Sequence, residues 1–252
     1  MSVAEAFVGP VKRKEPGQER ATLYFCAAQF LPTELLNSLV ARANNVHETT
    51  KETEIWAQMG ILNSKVKIGM AIGSRDDRSQ SPSADIKRSI DSQTKRLMAE
   101  TFRYVENRLE ALSEKAGAVL GNLTITLRVS PTRSNGDSWH EDESDELGRA
   151  SRVLLVSLSE PVVHTRFAPT EQLACESYGD EGVTCPSNHV GSCVYFSAAA
   201  CHRAPTAAAR NGAVRRVLMA QFTFTDGWGG NVVPNRRREL EALHDMFNTP
   251  LA

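Results

Sequence analysis

Apolar and polar side chains alternate strictly from Leu123: Leu123, Ile125, Leu127 and Val129 interleave with Asn122, Thr124, Thr126 and Arg128. A period of two predicts a strand with one buried and one wet face. Upstream, the period is helical. A helix starting near Pro32 carries Leu35, Leu36, Leu39, Val40 and Ala43 on one stripe. A second, long helix is predicted over 85–115, with Ile86, Ile90, Leu97, Thr101, Val105, Leu109 and Leu112 on one face and Gly117 ending it. Short β-prone runs follow at 21–26, 152–158, 162–167, 193–197 and 214–225, and 234–247 closes the chain as a helix with Leu240, Leu243 and Phe247 inward. A helical first part and a strand-rich second part predict an α+β domain whose sheets form a sandwich or barrel.

The hydropathic pattern begins only near residue 21, so 1–20 is expected to be a flexible leader and 21–252 a single domain. The stretch 73–84, with Asp76-Asp77-Arg78-Ser79-Gln80-Ser81-Pro82 at its centre, has loop composition. A formal net charge of -1 gives no global attraction to nucleic acid or an anionic membrane. No apolar run is long enough to span a bilayer or to serve as a secretory signal. Five cysteines (Cys26, Cys175, Cys185, Cys193 and Cys201) without such a signal predict reduced thiols in a cytoplasmic setting.

The chemistry concentrates in Ser138-Trp139-His140-Glu141-Asp142. In extended chain, side chains two apart point the same way, so His140 and Asp142 aim an imidazole and a carboxylate at one point. A second imidazole would complete the triad of two His and one carboxylate that suits Fe(II) and leaves open coordination positions. His202, at the end of the strand-like run 191–196, is the candidate. The run Val214-Arg215-Arg216-Val217-Leu218-Met219-Ala220-Gln221-Phe222 looks like a buried strand, yet it carries two guanidinium groups that must face opposite sides. An inward one needs an anionic partner, and a dicarboxylate co-substrate supplies it through paired hydrogen bonds.

The order His-x-Asp, Thr165-Arg166-Phe167, Gly191 to Phe196, His202, then Arg on a final strand resembles the Fe(II)/2-oxoglutarate-dependent dioxygenase superfamily. The resemblance covers about 123–224 and implies a double-stranded β-helix, or jelly roll, at about 120–226, with supporting helices packed on one face. It implies that His140, Asp142 and His202 hold Fe(II) as the catalytic and metal-binding residues. Arg215 rather than Arg216 is implied to grip the far carboxylate of 2-oxoglutarate, the residue spacing leaving the choice between them open. Val217 stands where many members have Ser or Thr, and Val163-His164 where many have Gly-Gly. The activity implied is O₂-dependent oxidation, as a rule hydroxylation, of a small molecule, amino acid or peptide, with release of succinate and CO₂ and with ascorbate as an accessory reductant. Nucleic-acid and membrane partners are not expected, and the sequence fixes no oligomeric state.

Two other readings compete. A jelly-roll or cupin-like module could be non-catalytic, which the intact triad and Arg215 count against, or act differently on a metal, which would not need Arg215. Cys175, Cys185, Cys193 and Cys201 with His189 raise structural zinc, but no Cys-x-x-Cys knuckle is present. Arg236-Arg237-Arg238 reads as a solvated helix face.

Overall fold

A computed structural model describes residues 24–27, 29–45, 52–59, 65–73, 90–131, 139–142, 146–159, 165–167, 183–184, 189–203 and 214–248. The expected leader at 1–20, most of the loop at 73–84, Cys175, Cys185 and His164 lie outside them. The described strands are β1 (Tyr24–Ala27), β2 (Glu52–Met59), β3 (Lys67–Gly73), β4 (Val119–Pro131), β5 (Ser151–Ser157), β6 (Arg166–Phe167), β7 (Val183–Thr184), β8 (Cys193–Ser197), β9 (His202–Arg203) and β10 (Val214–Thr225). Helices are α1 (Thr33–Asn45), α2 (Ser92–Ala116), α3 (Glu146–Ala150) and α4 (Arg236–Asn248). A seven-stranded antiparallel sheet runs β1-β8-β5-β10-β4-β2-β3, and a three-stranded sheet runs β7-β6-β9.

The main core lies between the large sheet and α1, α2 and α4. Leu123, Ile125, Leu127 and Val129 of β4 and Leu218, Ala220, Phe222 and Phe224 of β10 all enter it, as the alternation requires. On β5 and β8 both faces are apolar. Leu154, Val156 and Tyr195 join the helix-side core, while Val153, Val194 and Phe196 join a smaller cluster with Phe167 of the small sheet. Strands buried on both faces are the ones the second sheet covers.

Helix α2 is shorter than the pattern predicts. Asp91 is its N-cap, accepting from the Thr94 amide and hydroxyl, both at 2.8 Å. The Thr94 bonds hold the Asp91 carboxyl below its ordinary range. At the other end Gly117, at φ 79°, closes the helix with bonds to the last-turn carbonyls. Strands β2 and β3 were not anticipated, because their polar and small residues break the apolar alternation.

A buried ion pair docks α4 on the sheet. The Arg152 guanidinium meets the Glu239 carboxylate at 2.6 and 3.0 Å, and the Tyr195 hydroxyl donates to the same carboxylate at 2.5 Å. Burial and the neighbouring Glu239 carboxylate push the Tyr195 phenol well up. So the helix that opens with three arginines is solvated on only part of its face, and Glu239 immediately after them is fully buried.

One expectation about the cysteines is overturned. Cys26 and Cys201 are disulfide-bonded, while Cys193 is a free, buried thiol whose ionisation burial pushes far up. Oxidised cysteines lend no support to a cytoplasmic setting. No described helix is long and apolar enough to cross a membrane.

Candidate metal centre

The site forms where the chain crosses from the large sheet to the small one. After β8, Ala198-Ala199-Ala200 makes a tight turn in which the Ala200 amide donates to Ser197 O at 2.9 Å. Ala198 and Ala200 are almost completely buried, so only side chains of this size fit the turn. His202 does not end the β8 strand, as the sequence suggested; it belongs to β9, across that turn. There His202 opposes Phe167 of β6 on one side and His140 on the other.

His140 and His202 form a two-way backbone pair: each amide donates to the other's carbonyl at 2.9 Å. Directly opposed residues of an antiparallel pair point to the same face, and here the ring centroids are 4.5 Å apart. Asp142 is held differently. Its amide donates to Ala198 O at 3.0 Å, and the Ala198 amide donates to Ser151 O of β5 at 3.1 Å. The two imidazoles thus hang on the small sheet and the carboxylate on the large one.

The ligating atoms of His140, Asp142 and His202 all lie within 4.8 Å of one another, and they form the one such cluster among the described residues. The two Asp142 oxygens stand 3.8 Å from His140 Nε2 and 3.7 Å from His202 Nε2. His202 Nδ1 lies 2.8 Å from Ala200 O. A carbonyl brings no proton, so Nδ1 carries the hydrogen and Nε2 presents its lone pair toward Asp142. Burial lowers the His202 pKa, against the pull of Asp142, and favours the neutral imidazole that ligates metals. The Phe196 ring lies 4.8 Å and the Phe167 ring 6.3 Å from the His202 ring, walling it with apolar surface. Two nitrogens and one oxygen in a cluster open on one side fit a divalent first-row metal, Fe(II) among them.

The two adjacent arginines part company. Arg216 turns to the helix side, where Nε donates to Ala43 O of α1 at 3.3 Å. Arg215 lies on the other face of β10 with Val217 and Met219, and Met219 packs against the cluster holding Phe167 and Phe196. Its positive charge reaches His202, whose pKa it helps to lower.

Sequence reasoning missed the Arg203–Trp139 contact, in which the guanidinium sits 4.7 Å over the indole. The signal was present: each residue is the chain neighbour of a candidate ligand. His189 is exposed and His244 lies on α4; neither joins the cluster. His47 falls outside the described residues.

No family model matches the chain, and no curated protein matches it. Solved structures do. A prolyl-4-hydroxylase from Pseudomonas putida matches at TM-score 0.41 and 15% identity, over 79% of this chain and 91% of that one. A Trichoplax adhaerens prolyl hydroxylase, solved with a hypoxia inducible factor peptide fragment, matches at 0.40 and 12%, over 79% and 83%. The Fe(II)/α-ketoglutarate-dependent dioxygenase TqaL matches at 0.44 and 9%, over 77% and 75%. The structures it matches include prolyl hydroxylases and iron/2-oxoglutarate dioxygenases.

Proposed function

We propose that this chain is an Fe(II)- and 2-oxoglutarate-dependent oxygenase, and that the two sheets are the two halves of a jelly roll. The observation that carries the reading is the convergence of His140, Asp142 and His202, with His202 Nδ1 committed to Ala200 O and Nε2 left to coordinate. In this reading those three residues hold Fe(II), which when bound supplies the activation of O₂ coupled to oxidation of 2-oxoglutarate to succinate and CO₂. Arg215 binds the distal carboxylate of 2-oxoglutarate, its planar fork matching the two oxygens. Val217, two residues further on the same face of β10, contributes apolar contact in place of a hydroxyl donor. Phe167 and Phe196 exclude water beside His202 and hold its ring in place. The substrate class that suits a near-neutral chain is a small molecule, amino acid or peptide, and hydroxylation is the outcome proposed.

Anaerobic addition of Fe(II) and 2-oxoglutarate to the purified protein tests this. A weak visible charge-transfer band is expected in the parent and is lost in His140→Ala. If the parent gives no band, and His140→Ala binds Fe(II) as tightly as the parent, the reading is wrong.

A further inference from the structure

Among the described residues, β6, β7 and β9 span two residues each, and His140 joins β9 through a β-bridge. Backbone pairing leaves each side chain several staggered rotamers. Yet the two imidazoles must be aligned closely for one ion to reach both.

The register supplies a solution. With His140 opposite His202 in an antiparallel bridge, Trp139 falls opposite Arg203. These residues form the non-hydrogen-bonded pair, in which side chains approach most closely, and they project from the face opposite the imidazoles. The Arg203 guanidinium lies 4.7 Å from the Trp139 ring centroid, and both side chains are buried, at 8% and 7% exposure. A buried guanidinium over an indole is a favourable contact with a preferred stacked geometry. On the inner face Phe196 and Phe167 back the His202 ring. The bridge is therefore clasped on both faces.

We propose that Trp139 and Arg203 are positioning residues: their stack on the outer face of the small sheet fixes the mutual orientation of His140 and His202, and with it the affinity and geometry of the metal centre. The inference rests on the metal-centre reading and goes beyond it, since neither side chain touches the ion. Substitutions of outer residues that orient metal ligands cost about 10–100-fold in affinity.

The test uses Co(II) as a spectroscopic probe and Fe(II) for affinity, on the full chain. Trp139→Leu and Arg203→Met should each weaken Fe(II) binding about 10–100-fold and alter the visible Co(II) bands. Trp139→Phe, which keeps an aromatic face, should restore most of the affinity. Arg203→Lys, which keeps the charge but loses the planar stack, should stay weakened. The double variant should lose less than the sum of the two single losses, because both remove the shared contact. Parental affinity and Co(II) bands in Trp139→Leu and Arg203→Met would overturn the proposal. So would additive losses, or a Trp139→Phe protein as impaired as Trp139→Leu. His140→Ala separates the two levels. If it abolishes Co(II) binding while the outer variants are silent, the metal centre stands and the clasp falls. If it leaves Co(II) binding intact, both fall. Should Arg203→Met fail to fold, the comparison of Trp139→Phe with Trp139→Leu decides.

Discussion

The Asp142 amide donates to the carbonyl of Ala198, whose own amide is bound to Ser151 of the large sheet. Through that one alanine the carboxylate of the candidate metal centre is tied to β5, while both imidazoles are tied to the small sheet. The relative placement of the two sheets is thereby written directly into the geometry of the site. A shift of either sheet opens the cluster.

Enlarging Ala198 should expose that dependence. The side chain is 3% exposed, so Ala198→Leu forces atoms into a filled turn at a cost of about 1–3 kcal/mol. Denaturant melts should show that loss, and Fe(II) titration should show weaker binding than the stability loss alone explains. Ala199→Ser, at the partly exposed middle of the turn, is expected to be near neutral in both.

The neighbouring arginines should behave oppositely. Arg215→Met is expected to raise the Kd for 2-oxoglutarate about 10–100-fold, the worth of roughly 1.5–3 kcal/mol in a charged hydrogen bond, with Fe(II) binding retained. Arg216→Met removes the bond to Ala43 and should cost about 1 kcal/mol of stability with co-substrate affinity unchanged. Calorimetric titration beside thermal melts distinguishes them, and a reversed pattern would reassign the anchor.

Cutting one partner from the buried Arg152–Glu239 pair leaves an uncompensated charge in the core. Glu239→Ala should lose about 3–5 kcal/mol by chemical denaturation. Arg152→Met combined with Glu239→Leu should recover much of that loss, since the pair together contributes far less than either lone charge costs. Recovery absent from the double variant would argue that α4 docks by another contact.

Tyr104 should make stability fall at high pH. Burial raises its phenol to about 12, against the opposing charge of Arg108, while its hydroxyl donates to Phe30 O at 2.9 Å. An unfolded phenol ionises near pH 10. The unfolded state thus loses its proton first, and the contribution is complete below about pH 10 and gone as pH rises through 12. Tyr104→Phe should flatten that decline in urea melts between pH 9 and about 12.

The cysteines should separate by alkylation. Cys193 is buried with its thiol pKa pushed up, so iodoacetamide should leave it unmodified until the protein is unfolded. Cys26 and Cys201 should stay unmodified even in denaturant and become labelled only after reduction. Peptide mass mapping reads both results.

Much of this was written in local sequence. The alternation from Leu123 fixes β4, the stripe from Leu35 fixes α1, and the 214–225 run coincides with β10, because periodicity records which face is buried. His-x-Asp spacing likewise aims two side chains at one point whatever the fold. Strands β2 and β3 were silent, since their pairing with β4 is long-range and their residues carry no clear period. The start of α2 depended on an Asp91 cap that helical periodicity alone does not register. That Arg216 turns to α1, and that Cys26 and Cys201 are oxidised, follow only from where strands distant in sequence meet. Local patterns specify faces; only the packed chain specifies neighbours.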